Sequence, residues 1–272
     1  MKKMATTHNR DDQRPYYMDR IDALKERVVS VRPEMDLENA RILTDSFQET
    51  EGEPLVVRKA KGFRKQCQQK DITIAEHELI VGCSGSKIRG GILCADTCWS
   101  VLNDELDSIS TRSYDPFHLK EEDRQIFEQE IKPYWKGRSN YEEWLAQIPD
   151  DTRLLRDHGV IYINRKAVRG FGETTAGYEW LLNEGLCGIE ESVKKRRASL
   201  DITVPGDYEK DYYLKSLLIV VEGMKILASR YSDEAARLAS FEKNETRKKE
   251  LLEIAEVCAH IATNPARTFR EA

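Results

Sequence analysis

The chain has 272 residues, of which 33% are charged and 40% hydrophobic, and its formal net charge is −5 at pH 7. This length suits one large domain or two small ones, and the mildly acidic balance does not indicate nucleic acid or an anionic membrane as a partner. No apolar run approaches the roughly 20 residues that span a bilayer, and residues 1–20 lack the apolar core of a secretory signal. We therefore expect a cytoplasmic protein.

The N-terminal third of the chain shows helical periodicity. Residues 1–18 are charged and aperiodic, so we predict a flexible lead, followed by one structural unit over 19–272. Apolar residues at helical spacing predict a helix over Asp19–Val31, a second helix capped by Asp36, and a third helix that begins at Pro54.

The middle of the chain mixes strand and helix signals. Alternating isoleucines and a short apolar run predict extended structure, with two short strands, over Asp71–Val81. Helices are predicted over Cys94–Leu106 and Lys120–Tyr134, and a capping box is predicted at Ser139–Glu142. The apolar run Val160–Ile163 predicts a further strand.

The C-terminal third is predicted to be helical. Helical periodicity covers Gly188–Leu200, Asp207–Ser240 and Asn244–Thr263. Thr268, followed three residues later by Glu271, then resembles the start of another helix. We expect from this last pattern that the polypeptide is the front part of a longer protein.

One polar, glycine-rich stretch, Asn164–Tyr178, interrupts the helical patterns. A loop between a strand and a helix commonly presents side chains to a ligand. If Arg169 and Glu173 face one cavity, the arginine could bind an anionic group and the glutamate could exchange a proton; the alternative is a solvated salt bridge within the loop. The glycine spacing fits neither a dinucleotide fingerprint nor a P-loop, because the third glycine of the former and the Lys-Ser/Thr of the latter are missing.

The cysteines do not form a metal motif. Only one pair is close, as C-x3-C, and zinc ribbons and iron–sulfur clusters need further ligands at fixed spacing. We expect reduced, mostly buried thiols and no metal bound by this chain. The six cysteines are Cys67, Cys83, Cys94, Cys98, Cys187 and Cys258.

Several long segments resemble the N-terminal region of glycyl radical enzymes of the pyruvate formate-lyase-like group. This group contains glycerol and propanediol dehydratases, choline trimethylamine-lyase and sulfonate lyases. The resemblance covers about residues 20–272 and is carried by Glu38–Gly82, Leu102–Ser139, Tyr212–Ala239 and Glu250–Ala272.

The resemblance implies a fold, a chemistry and partners. The chain would be the mainly α-helical N-terminal portion, with a few short strands, of a ten-stranded α/β barrel. The parent enzyme would be a lyase, a dehydratase or a formate acetyltransferase-like enzyme and a homodimer. It would carry a glycyl radical installed by an S-adenosylmethionine iron–sulfur activating enzyme, in the cytoplasm or in a bacterial microcompartment.

The residues that would carry the radical chemistry in that group are not found in this sequence. No cysteine here precedes x-Glu, and no Arg-Val-x-Gly glycyl motif is present. We therefore assign no catalytic residue and no cofactor to this chain, and we expect no turnover from these 272 residues alone.

The resemblance also gives the polar loop a role as part of the substrate pocket. Glu173 aligns with a pocket position that is His in the diol dehydratases and Asp in choline trimethylamine-lyase. Arg165 stands where the choline enzyme has a Tyr. Arg169 resembles the arginine with which sulfonate lyases contact their anionic substrate. These three residues imply an anionic substrate, a sulfonate or carboxylate, with a neutral diol as the alternative.

Two hypotheses of other classes stay open. The chain could be a non-catalytic helical module that pairs with a separately supplied C-terminal half. It could also be the product of an interrupted gene, with no function of its own.

Overall fold

The computed structural model describes residues 16–162 and 177–272. Over these two ranges the chain is mainly α-helical with two three-residue strands, which confirms the predicted fold class. The elements in chain order are α1 Tyr16–Val29, β1 Glu34–Asp36, α2 Glu38–Glu49, α3 Leu55–Gln69, β2 Gly90–Ile92, α4 Ala95–Asp104, α5 Glu121–Ile126, a π-helical turn Phe127–Ile131, α6 Lys132–Trp135, α7 Asn140–Gln147, α8 Asp150–Asp157, α9 Tyr178–Ala198, α10 Pro205–Phe241 and α11 Glu245–Ile261.

The two strands, β1 and β2, form a parallel pair with Met35 opposite Gly91. A glycine is needed at this point in β2, because a Cβ on Gly91 would lie 2.8 Å from the Phe117 ring. On the other side of β1, the Met35 amide donates to the His118 carbonyl at 2.9 Å. The two strands therefore connect the segment between α1 and α2 to the segment that precedes α5.

The predicted strands lie elsewhere than the observed ones. Asp71–Val81 contains no strand, because two of its carbonyls, those of Ala75 and Glu78, accept from the Arg247 guanidinium at 2.7 and 2.8 Å instead of from a neighbouring strand. Val160–Tyr162, the described part of the other predicted strand, is also irregular.

The helix predictions are confirmed with local corrections. Asp36 was predicted to cap α2; it lies in β1 and Leu37 occupies the N-cap position, but Asp36 Oδ1 does accept from the amide of Glu38, the first residue of α2, at 3.2 Å. The predicted helix over Lys120–Tyr134 contains a π-helical turn, which buries Phe127 and Ile131 completely. Apolar spacing alone did not reveal the extra residue that such a turn contains.

The predicted capping box at the start of α7 is confirmed. Ser139 Oγ accepts from the Glu142 amide, and the Glu142 carboxylate accepts from the Ser139 amide, each at 3.3 Å. The same carboxylate accepts from Trp99 Nε1 at 2.8 Å. The cap therefore also fixes a core tryptophan of α4.

Three apolar clusters of the described residues hold the helices together, the smallest being Val57, Ala60 and Ile219 between α3 and α10. In the first, Phe47 of α2 contacts Trp135, with ring centroids 5.1 Å apart, and the Trp135 Nε1–H donates to Thr44 Oγ1 at 2.8 Å. The second lies where α11 folds back on α10 and contains Tyr231, Ala235, Ala239, Leu251, Ile254 and Cys258. No helix within the described ranges is long and apolar enough to span a membrane.

Candidate functional site

The three predicted substrate-binding residues, Arg165, Arg169 and Glu173, lie outside the described residues. The structure describes the chain on either side of them, up to Tyr162 and from Gly177 onward. The geometry available is therefore that of the two flanks.

The N-terminal flank is a tight turn at the end of α8. Gly159 has φ +69°, and the amides of Val160 and Ile161 both donate to the Leu155 carbonyl, at 2.9 and 3.3 Å. Beyond this turn the side chain of Tyr162 is 88% exposed. The flank is thus fixed through its backbone, while its side chains contact little of the described protein.

The C-terminal flank is the first part of α9. Gly177 occupies the N-cap position without a side-chain cap, and Tyr178, Trp180 and Leu182 are all exposed. The helix is broken at Gly185, which has φ +64° and ψ −179°. The sequence predicted a helix over Gly188–Leu200, and the structure begins this helix at Tyr178, with a break between its two parts.

A polar cluster links α9 to α10 just after this break. Lys225 donates to the Glu190 carboxylate and to Cys187 Sγ, the latter at 3.2 Å. Hydrogen bonds from Lys194 and Lys225 hold the pKa of Glu190 below its usual value. Burial acts to lower the pKa of Lys225, but the contacts with Glu190 and Cys187 outweigh it and raise that pKa. Both groups therefore stay charged at neutral pH and connect the two helices.

A second ionic cluster closes the turn after α11. Arg267 donates to the Glu271 carboxylate through its backbone amide, at 2.5 Å, and through its guanidinium, at 2.6 Å. These bonds lower the pKa of Glu271 to about 2. Thr268 Oγ1 accepts from the Glu271 amide at 3.3 Å as a capping box requires, but the described residues 268–271 form a turn rather than a helix.

A cleft of about 390 Å³ between β1, α2 and α5 was not singled out in the sequence. Asp36 at its base is fully buried and accepts from the Ser86 and Lys87 amides at 2.6 and 3.2 Å. Burial raises the pKa of Glu38 and of Asp123 on its walls. These two carboxyls therefore keep a proton to higher pH than usual, which suits proton donation.

The described side chains of the cleft do not include a set of residues that could bind a metal ion. Within the described ranges, no group of three or more His, Cys, Asp or Glu side chains is placed to hold an ion. The cleft brings Asp36 and Glu38 together with Ser86 and Lys87, which lie about 50 residues further along the chain. Because distant segments form it, periodicity could not have found it.

The buried thiols of the described residues belong to the apolar packing. Cys67 and Cys258 are buried, and burial raises the pKa of both thiols. A thiol with a raised pKa is a poor nucleophile at neutral pH. Cys83, Cys94 and Cys187 are exposed, so the expectation of mostly buried thiols is wrong for the cysteines whose side chains are described.

The comparisons with known proteins identify the family. The profile described as "Pyruvate formate lyase-like" matches residues 12–272, so the chain belongs to this family. A curated relative, the isethionate sulfite-lyase of Oleidesulfovibrio alaskensis, is 33% identical over 250 residues, which cover 89% of this chain and 30% of the relative.

Two solved structures resemble the fold closely. One, concerned with 1,2-propanediol dehydration in Roseburia inulinivorans, has a TM-score of 0.88 and 31% identity and covers 93% of this chain. The other, a glycyl radical enzyme from Archaeoglobus fulgidus, has a TM-score of 0.86 and 30% identity. This chain covers 30% and 32% of those two proteins, and it corresponds to the N-terminal part of its relatives.

Proposed function

We propose that the chain supplies the N-terminal part of a glycyl radical lyase or dehydratase, and that the substrate is a small organic molecule with a sulfonate or carboxylate group. Arg165, Arg169 and Glu173 line its pocket in this proposal. The observation that carries it is the 33% identity, over 89% of the chain, with an isethionate sulfite-lyase. Isethionate bears a sulfonate, and the segment 163–176 carries three cationic side chains here.

Each of the three residues has a distinct task in this proposal. The planar guanidinium of Arg169 matches the geometry of a sulfonate or carboxylate and forms two parallel hydrogen bonds with it. Arg165 adds positive charge and so raises the local concentration of an anion. Glu173 accepts or donates a proton at the substrate.

The radical chemistry would come from groups that this sequence does not contain. The parent enzyme would carry a glycyl radical installed by a separate activating enzyme and would work in the cytoplasm. The chain's own residues would bind and orient the substrate. We therefore expect the 272-residue chain alone to be inactive.

The test uses the intact reading frame with its activating enzyme, assayed on isethionate and on 1,2-propanediol. Arg169→Ala should lower kcat/KM for the sulfonate by about 10²- to 10³-fold, because it removes a charged partner of the substrate. Glu173→Gln should lower kcat and leave KM nearly unchanged.

The matched control is Arg237→Ala, which removes the same charge from an exposed i,i+3 pair with Glu234 on α10. It should leave both constants unchanged. Wild-type kinetics in Arg169→Ala would exclude the pocket assignment. Turnover of 1,2-propanediol without turnover of isethionate would replace the anionic substrate by a neutral diol.

A second candidate function is a non-catalytic helical module that pairs with a separate C-terminal half. The observation that favours it is the exposure of large apolar side chains among the described residues, for example Tyr178, Tyr213 and Phe241, which are 62%, 57% and 75% exposed. Exposed apolar patches commonly mark an interaction surface. Co-purification with a protein that carries the Gly-Cys-x-Glu and glycyl motifs would support this function, and a stable monomer with no such partner would count against it.

A further inference from the structure

The break in α9 has a backbone conformation that only glycine adopts readily. Gly185 has φ +64° and ψ −179°, a region from which side chains are excluded by steric contacts. It separates a first part, Tyr178–Glu184, from a second part, Leu186–Ala198. A conformation of this kind persists only where the surrounding structure imposes it.

The surrounding structure here is the backbone that follows α11. A Cβ on Gly185 would lie 2.5 Å from both Asn264 C and Pro265 N, and 2.8 Å from Asn264 O. These are main-chain atoms, so no side-chain rotation could relieve the contact. The ring of Pro265 also fixes its own φ and limits how far this segment can yield.

Two hydrogen bonds hold the crossing on either side. The Cys187 amide donates to the Thr263 carbonyl at 3.1 Å, directly after the break. His260 Nε2 donates to the Pro265 carbonyl at 2.9 Å and fixes the turn that follows α11. We name the crossing of Gly185 with Asn264–Pro265 the glycine junction.

Side-chain packing does little to fix the first part of α9. Trp180 and Leu182 are 44% and 38% exposed, and a cavity of about 170 Å³ lies beside Leu181 and Leu182. The second part is anchored by the buried side chains of Leu186 and Val193. The direction of Tyr178–Glu184 therefore depends on the glycine junction.

We propose that the glycine junction is a positioning element that sets the direction of Tyr178–Glu184. Gly185 and Pro265 are positioning residues in this proposal and contact no substrate.

The first experiment measures the junction directly in the 272-residue chain. Gly185→Ala should speed hydrogen exchange of the Cys187 amide by about tenfold or more, because the local structure opens without global unfolding. It should also shift the fluorine resonance of 5-fluorotryptophan at position 180, assigned with Trp180→Phe. The Leu251 amide in the core of α11 should exchange as in the wild type.

The matched control is Gly177→Ala, the same chemical change at the opposite end of Tyr178–Glu184. Gly177 has φ −73°, and no atom of the described residues lies within 4 Å of an added Cβ. This variant should leave the Cys187 amide and the Trp180 resonance unchanged. Equal effects of the two substitutions, or an unchanged Cys187 amide in Gly185→Ala, would overturn the proposal.

A second variant guards against a failure of Gly185→Ala to fold. Pro265→Gly loosens the other side of the junction without any steric clash, and it should also speed exchange at the Cys187 amide by about tenfold. In the double variant the effect of Gly185→Ala should be smaller than in the wild-type background, because the backbone at position 265 can then yield. Simple additivity of the two effects would refute a direct contact.

The ligand readout separates this proposal from the proposed function. In the intact, activated enzyme, Arg169→Ala is assayed on isethionate, and the result is compared with the response of the Trp180 resonance to Gly185→Ala. If Arg169→Ala has no effect while the Trp180 resonance still responds to Gly185→Ala, the pocket assignment fails and the junction stands. If KM changes with Arg169→Ala and the Trp180 resonance does not move, the junction fails.

Discussion

Two irregular segments of the chain are held by buried charges of opposite sign. The loop over residues 84–89 curls around the carboxylate of Asp36, which accepts from the Ser86 and Lys87 amides. Residues 71–81 contain a turn in which the Glu78 amide donates to the Ala75 carbonyl, and the Arg247 guanidinium donates to the carbonyls of Ala75 and Glu78. A buried anion gathers N–H groups, whereas a buried guanidinium gathers carbonyls. The sign of the buried charge therefore decides which backbone groups of the segment it holds.

The two anchors also differ in their access to water. Asp36 is fully buried and a Cβ on Gly85 would lie 2.5 Å from its Oδ2, so the loop encloses it tightly. Arg247 is 9% exposed and has its own carboxylate partner, Glu250, at 3.0 Å. Removal of the carboxylate should therefore cost more than removal of the guanidinium.

The largest expected effect is that of Asp36→Ala. It leaves the Ser86 and Lys87 amides without an acceptor in a site that water reaches poorly, and it should lower the free energy of unfolding by about 3–5 kcal/mol. Urea denaturation followed by circular dichroism measures this. Asp45→Ala, on the wall of the same cleft, should cost less than about 1 kcal/mol. Similar losses in the two variants would show that the buried anion does not organise the loop.

Arg247→Ala should come next. It frees the Ala75 and Glu78 carbonyls and leaves Glu250 with one partner fewer, for a loss of about 2–4 kcal/mol. Hydrogen exchange over residues 71–81 should rise more than elsewhere. The control is Lys249→Ala, an exposed neighbour on α11, which should change neither quantity. A loss larger than that of Asp36→Ala would reverse the comparison.

The pH dependence should be smaller and should involve Glu142. Burial acts to raise the pKa of Glu142, but hydrogen bonds from Ser139, Trp99 and Gly137 outweigh it and lower that pKa. The folded state thus binds the proton less tightly than the unfolded state does. The stabilisation is present above the unfolded-state pKa and is lost as the pH falls through the folded-state value.

Glu142→Gln should remove this dependence. At neutral pH the variant should lose about 1 kcal/mol, because the capping box and the Trp99 bond lose a charged acceptor. Below the folded-state pKa the variant and the wild type should converge. Unfolding curves measured from about pH 7 down to about pH 3 test this, because the ordinary pKa of a Glu side chain, about 4.3, lies within that range. A constant difference at every pH would exclude the assignment.

The smallest effect is expected at the rim of the Arg247 site. Arg27 of α1 contacts the Glu78 carboxylate at 2.6 Å, with side chains that are 33% and 27% exposed. A partly solvated ion pair contributes little, so Arg27→Ala should cost about 0.5 kcal/mol or less. Added salt should reduce even this difference. A loss comparable with that of Arg247→Ala would mean that rim and buried charges hold the segment equally.

The comparison also explains which structural predictions were wrong. Alternating isoleucines at Asp71–Val81 predicted strands, but strand formation needs a neighbouring backbone, and Arg247 occupies the carbonyls instead. Asp36 was predicted to be a helix cap, because Asp before an apolar run is a common N-terminus signal. Asp36 does accept from the nearby Glu38 amide at 3.2 Å. Its other partners, Ser86 and Lys87, lie about 50 residues away and leave no mark on local patterning.

The sequence by itself determined the helices, the capping box at Ser139 and the family, because these depend on neighbours within a few turns or on residues matched along the whole chain. It also identified Arg165, Arg169 and Glu173, which lie outside the described residues and stay predictions. The tertiary structure alone decided where the strands lie, that Asp36 and Arg247 hold irregular segments, and that α9 breaks at Gly185. Each of these depends on a contact between distant parts of the chain, and such a contact has no period that a sequence can show.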